Sequence, residues 1–96
     1  MKTSYAIEKF CDIHELDYVK YMRLVRLVRK IAKLGEHECN VKMTDEESKE
    51  HDQLSIKTVE KIKLAAKEIG FELHQFPGLY PTFKDKQGRE TMLVIE

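Results

Sequence analysis

The stretch Ile62-Lys63-Leu64-Ala65-Ala66-Lys67-Glu68-Ile69-Gly70-Phe71-Glu72-Leu73-His74-Gln75-Phe76 decides the fold class. Up to Ile69 the apolar residues hold helical spacing, continuing a series that runs through Leu54, Ile56, Val59, Ile62 and Ala66. Gly70 is a helix stop, and beyond it the chain breaks into short strand runs at residues 71–76, 79–84 and 89–95. Pro77-Gly78 and Asp85-Lys86-Gln87-Gly88 supply the turns between them. Pro81 has no N–H for a ladder, so the middle run is irregular there or turns that position away from a partner. Helices followed by a small antiparallel meander make an α+β chain.

Working back from Gly70, Thr44-Asp45-Glu46-Glu47 has the form of a capping box, with acids in the first turn of a third helix. Residues 48–53 offer nothing apolar, so they read as an exposed first turn or a loop, and the packed part begins near Leu54. The second helix is signalled by Asp17 as N-cap, with Leu16 and Tyr21 placed as a hydrophobic staple. Leu24, Leu27, Val28, Ile31 and Leu34 form its apolar stripe, with Tyr21 and Val25 at the edge, and Gly35 loosens its end. Thr3 or Ser4 is placed to cap a first short helix reaching about Ile13, with Ile7, Phe10 and Cys11 at helical spacing. Glu15-Leu16 is the turn between these two helices.

Ninety-six residues make one domain, small enough for an oligomer to supply part of the buried area. With 42% hydrophobic and 35% charged residues the chain reads as folded and not disordered. The longest apolar runs resemble Met92-Leu93-Val94-Ile95, far short of the roughly 20 residues of a membrane span. Glu8 and Asp12 interrupt any signal-peptide core, so a cytosolic location is expected, with Cys11 and Cys39 reduced.

Charges balance at 17 against 17, which argues against a broad nucleic-acid surface. Their distribution is uneven. Residues 17–34 carry Lys20, Arg23, Arg26, Arg29, Lys30 and Lys33 against Asp17 alone, while residues 36–52 hold seven acids against Lys42 and Lys49. The basic arc suits an anionic partner, although Lys30 and Lys33 also favour the helix dipole and a solvated face is the plain alternative. The remaining arrangements are weak. His37, Cys39 and His51 offer three zinc-type ligands without a fourth, so no metal site is expected. Cys11 and His14 are three apart, a spacing common by chance. Pairing the first two helices as a helix-turn-helix leaves the second too long for a recognition helix. The chain lacks a phosphate loop, a nucleophile elbow and a metalloprotease motif, so neither enzyme activity nor a cofactor is expected. The segment Phe76-Pro77-Gly78-Leu79-Tyr80-Pro81 presents aromatic and proline groups suited to a pocket, a subunit contact or a packed turn.

Arg23-Leu24-Val25-Arg26-Leu27-Val28-Arg29-Lys30, then Glu36-His37-Glu38-Cys39-Asn40, then Ala66-Lys67-Glu68-Ile69-Gly70-Phe71 and a glycine-bearing hairpin, resemble a family of small bacteriophage proteins. The resemblance covers most of residues 20–95. It rests on an Arg-studded helix, a Glu-x-x-Cys-Asn signature and a closing helix plus hairpin. Phe76-Pro77-Gly78 departs from that family's acidic Asp-Pro-x-Gly turn. The resemblance implies a phage or prophage accessory protein acting by binding in the host cytosol, and it directs attention to Arg26, Arg29, Glu36, Cys39 and Asn40.

The expectation drawn from both lines is a non-catalytic, homo-oligomeric binding protein. It would hold a small anion, a nucleotide or cyclic nucleotide used in host defence, through Arg23, Arg26, Arg29, Lys30 and Lys33, with Glu36, Asn40 and Tyr80 nearby. A duplex DNA-binding regulator is the second reading, and an inhibitor of a host protein by surface contact the third.

Overall fold

The computed structural model describes residues 5–95, and the cap expected of Thr3 or Ser4 lies outside them. The elements are α1 (Tyr5–His14), α2 (Tyr18–Asn40), α3 (Asp45–Glu68), β1 (Glu72–Gln75), β2 (Thr82–Lys84) and β3 (Glu90–Thr91). The strands form an antiparallel sheet in the order β1-β2-β3, as the meander requires. Among the described residues no helix is long and apolar enough to cross a membrane.

Local signals account for most helix ends. The Asp17 carboxylate accepts the Lys20 N–H at 3.0 Å, closing the N-terminus of α2. At α3 both arms of the capping box form: the Glu47 N–H donates to Thr44 Oγ1 and the Thr44 N–H to the Glu47 carboxylate. The helix therefore starts at Asp45 and residues 48–53 are helical. At its other end the Phe71 N–H bonds the Ala66 carbonyl and the Gly70 N–H that of Lys67, with Gly70 at φ 83°. This is a Schellman motif with glycine in the left-handed position.

The same motif ends α1 without a glycine. Leu16 N–H bonds the Cys11 carbonyl and Glu15 N–H that of Asp12, while Glu15 takes φ 54°. That conformation costs a β-carbon-bearing residue about 1–2 kcal/mol.

One core joins the helices to the sheet. Tyr21, Leu24, Val25 and Val28 from α2 pack with Ile7 and Cys11 from α1, Ile62, Ala65 and Ala66 from α3, and Phe71, Phe83 and Leu93. Burying each large apolar side chain contributes roughly 1.5–3 kcal/mol. Tyr21 and Val25, expected at the stripe's edge, are central, and Leu27 and Leu34 are the partly buried margin. The turn of the stripe follows from what covers it. Phe10 lies 5.3 Å ring to ring from Tyr21, and the Tyr21 hydroxyl donates to the Val94 carbonyl at 2.6 Å. Burial first of all pushes the Tyr21 phenol pKa well up, so this donor keeps its proton.

Three further expectations change. Gly35 does not end α2, which continues to Asn40; a β-carbon there would stand 2.8 Å from Leu79 Cδ2, so the glycine admits the β1–β2 loop. That loop is residues 76–81, not a tight Pro77-Gly78 turn, and β2 begins directly after the buried Pro81. On α3, Leu54 and Ile56 are exposed, since two residues two apart cannot share one helix face. The buried face is His51, Thr58, Ile62 and Ala65-Ala66, with the Thr58 hydroxyl satisfied by the Leu54 carbonyl at 2.7 Å.

The sheet is short because its connections take up the chain. In the β2–β3 turn the Asp85 carboxylate accepts the N–H groups of Gln87 and Arg89, each at 2.9 Å, and Gly88 adopts φ 80°. The Arg89 N–H, more than the Gln87 N–H and the Arg89 charge, holds the Asp85 pKa below its ordinary value against the opposing effect of burial. Past β3 the chain leaves the ladder, and the Val94 and Ile95 carbonyls bond α2 instead.

Candidate functional site

Beyond the apolar core, the α2–α3 hairpin continues into a polar half. Here α2 presents Arg26, Arg29, Lys30 and Lys33 at intervals of three and four, and α3 brings His51 up beside them. With Leu34 and His37 these residues line an open pocket of about 600 Å³. Among the described residues Arg26, Lys30 and Lys33 have no carboxylate partner. The Arg29 guanidinium donates to the Ile95 carbonyl, which orients it at the rim without neutralising it.

His51 is the buried member. Its side chain is 7% exposed, and neither ring nitrogen has a hydrogen-bond partner among the described residues, while the Glu38 carboxylate stands with Oε2 3.8 Å from Nδ1. The His37 ring stacks on it at 5.8 Å with planes 22° apart. The pocket thus combines cationic tips with an imidazole and aliphatic wall.

Four of the five basic residues expected at the site are gathered there: Arg26, Arg29, Lys30 and Lys33. Arg23 is not, because its guanidinium turns to Glu68 at 3.5 Å beside Leu27, Lys61, Leu64 and Ala65. Glu36 and Asn40 are exposed on the last turns of α2, where the Asn40 amide donates to the Glu36 carbonyl at 2.9 Å. Tyr80 is exposed in the 76–81 loop and does not line the pocket. Cys39 is exposed beside Asn40, so the Glu-x-x-Cys-Asn signature forms a solvent-facing helix end.

The acidic run has a local role. Asp45, Glu46 and Glu47 occupy the first turn of α3, where the helix dipole favours them. They do not pair with the cations of the pocket.

Leu34, His37 and His51 are pocket residues that charge counting passes over. His51 had a signal: it stands seven residues before Thr58 and eleven before Ile62, on the same face as both. The Cys11 and His14 pair does structural work. The Cys11 thiol is buried, its pKa raised first by burial and then by Asp12 and Asp17, which disfavours the thiolate a nucleophile needs. The His14 ring packs on Phe10 at 4.3 Å and edge-on to Phe71 at 5.8 Å. Comparison of the chain with protein-family models, curated proteins and solved structures finds no significant match.

Proposed function

We propose that the protein is a non-catalytic binding protein that captures a small phosphorylated anion, a nucleotide or cyclic nucleotide, in the α2–α3 pocket. The observation that carries this reading is the convergence on one pocket of Arg26, Lys30 and Lys33, which have no carboxylate partner among the described residues. Cationic side chains contribute charge-assisted bonds to phosphate oxygens, the Arg fork two at a time. Leu34 and the paired imidazoles offer a flat, partly apolar wall against which a base or ribose packs. A pocket of about 600 Å³ falls within the size range of ligand sites.

The overall charge supports a small ligand over a duplex. A long polyanion needs a broad field, whereas this chain has zero net charge and an acidic helix end next to its cations. The bacteriophage resemblance extends the proposal to counter-defence, in which a nucleotide signal of the host is sequestered.

The test is a thermal-shift panel of mono-, di- and cyclic nucleotides, with inorganic phosphate as the control and a DNA gel shift over a salt series beside it. A selected nucleotide is expected to raise Tm with one site per chain. Lys30→Ala/Lys33→Ala is expected to weaken that ligand at least about tenfold, since a bond to a charged group contributes roughly 1.5–3 kcal/mol. A blank nucleotide panel, or binding indifferent to this double substitution, overturns the proposal. Salt-sensitive DNA binding without nucleotide selectivity would replace it with the duplex reading.

A further inference from the structure

We propose that Glu38, His51 and Asp52 form a binding site for a divalent first-row transition-metal ion of the Zn²⁺ type. His51 carries the argument. An imidazole this buried normally finds a partner for at least one nitrogen, and both of its nitrogens are closed off from solvent and lack a hydrogen-bond partner among the described residues. A metal ion is a partner that such a nitrogen accepts.

The neighbouring groups complete the set. One ligand atom each from Glu38, His51 and Asp52 lie within 4.8 Å of one another, with His51 Nδ1 3.8 Å from Glu38 Oε2. Bonds of about 2.0–2.2 Å place tetrahedral ligand atoms about 3.4 Å apart, so the site closes by roughly an ångström. Glu38 and Asp52 are exposed, and rotation of their side chains supplies that movement while His51 stays fixed in the packed face. Two carboxylates offset the charge of the ion, which matters with Lys30 and Lys33 lining the pocket that His51 also lines. Nitrogen in the ligand set selects against Mg²⁺ and Ca²⁺, which take oxygen ligands. Three protein ligands leave a coordination position free.

The sequence offers a different set, His37, Cys39 and His51, and the geometry disfavours it. Cys39 is exposed and outside the cluster, and the His37 ring lies face to face with His51 instead of sharing an ion with it.

The experiment uses the full chain, stripped with a chelator and titrated with Zn²⁺ by calorimetry and thermal shift, with Mg²⁺ as the parallel titrant and no nucleotide present. One Zn²⁺ per chain is expected, with a Tm rise of about 4 °C or more near saturation and none with Mg²⁺. Glu38→Gln/Asp52→Asn, both at exposed positions, is expected to lower Zn²⁺ affinity at least about tenfold, as is His51→Gln, while Cys39→Ser leaves it unchanged. Absence of Zn²⁺ binding overturns the proposal, as does binding that survives Glu38→Gln/Asp52→Asn or that Cys39→Ser abolishes. Should His51→Gln fail to fold, the exposed double substitution decides alone.

Discussion

The two ends of the α2–α3 hairpin are built on the same helical spacing and bury opposite kinds of residue. Toward the sheet, Leu24, Val25, Val28, Ile62 and Ala66 belong to one apolar core, and the buried Thr58 hydroxyl on the same face of α3 is satisfied by the Leu54 carbonyl. Toward the α2–α3 turn, from Lys33 to Gln53, the one residue buried among those described is His51. The first end holds the fold together, and the second carries exposed charge around an imidazole that makes no hydrogen bond among the described residues. The apolar core and the proposed binding groups are therefore divided along one pair of helices, a division that substitutions can separate.

The largest effect belongs to the sheet end. Phe83→Ala is expected to cost about 3–5 kcal/mol in urea unfolding, since its ring is fully buried between the sheet and the helices. A loss under about 1.5 kcal/mol would show that the core is looser than its burial implies and would break the contrast. At the polar end the sign reverses. In metal-free buffer His51→Leu is expected to stabilise by roughly 1 kcal/mol, because it removes buried polar atoms that have no hydrogen-bond partner among the described residues. With Zn²⁺ present the native chain should recover that difference. Destabilisation in metal-free buffer would mean that the imidazole is paired in solution.

The paired Schellman ends give a smaller, opposed effect. Gly70→Ala is expected to lose about 1 kcal/mol and Glu15→Gly to gain up to about 1 kcal/mol, both at positive φ, measured by equilibrium unfolding. The mildest test is pH. The Asp85 pKa is lower in the folded chain than in the unfolded chain, so its contribution is present above about pH 4. It is lost as pH falls through the folded value, and Asp85→Asn should flatten that part of the acid-unfolding profile while leaving the pocket unaffected.

Particular residues show how far the chain could be read before its structure. Asp17, Thr44 with Glu47, and Gly70 each act on groups within five residues of themselves, so their roles follow from sequence alone. Glu15 performs the same task as Gly70 and gives no sign of it, because a side chain was retained at a position where glycine would be easier. Gly35 misleads in the other direction: it resembles a helix end and serves a contact with Leu79, 44 residues on. The basic arc of α2 was legible as a stripe. That Arg23 leaves it for Glu68 while His51 joins it was not, since both depend on where α3 crosses α2.

By itself, then, the sequence determined the α+β class, the order of elements, the N-caps of α2 and α3 and the glycine stop of α3, all consequences of backbone groups that must be satisfied locally. Tertiary structure decided which side of α2 is buried, why Gly35 is small, and which charged side chains share a pocket with a buried histidine. These are properties of surfaces that meet across the fold. A helix sets the angular spacing of its own side chains, and only packing against α1, α3 and the C-terminal residues selects the face that loses water.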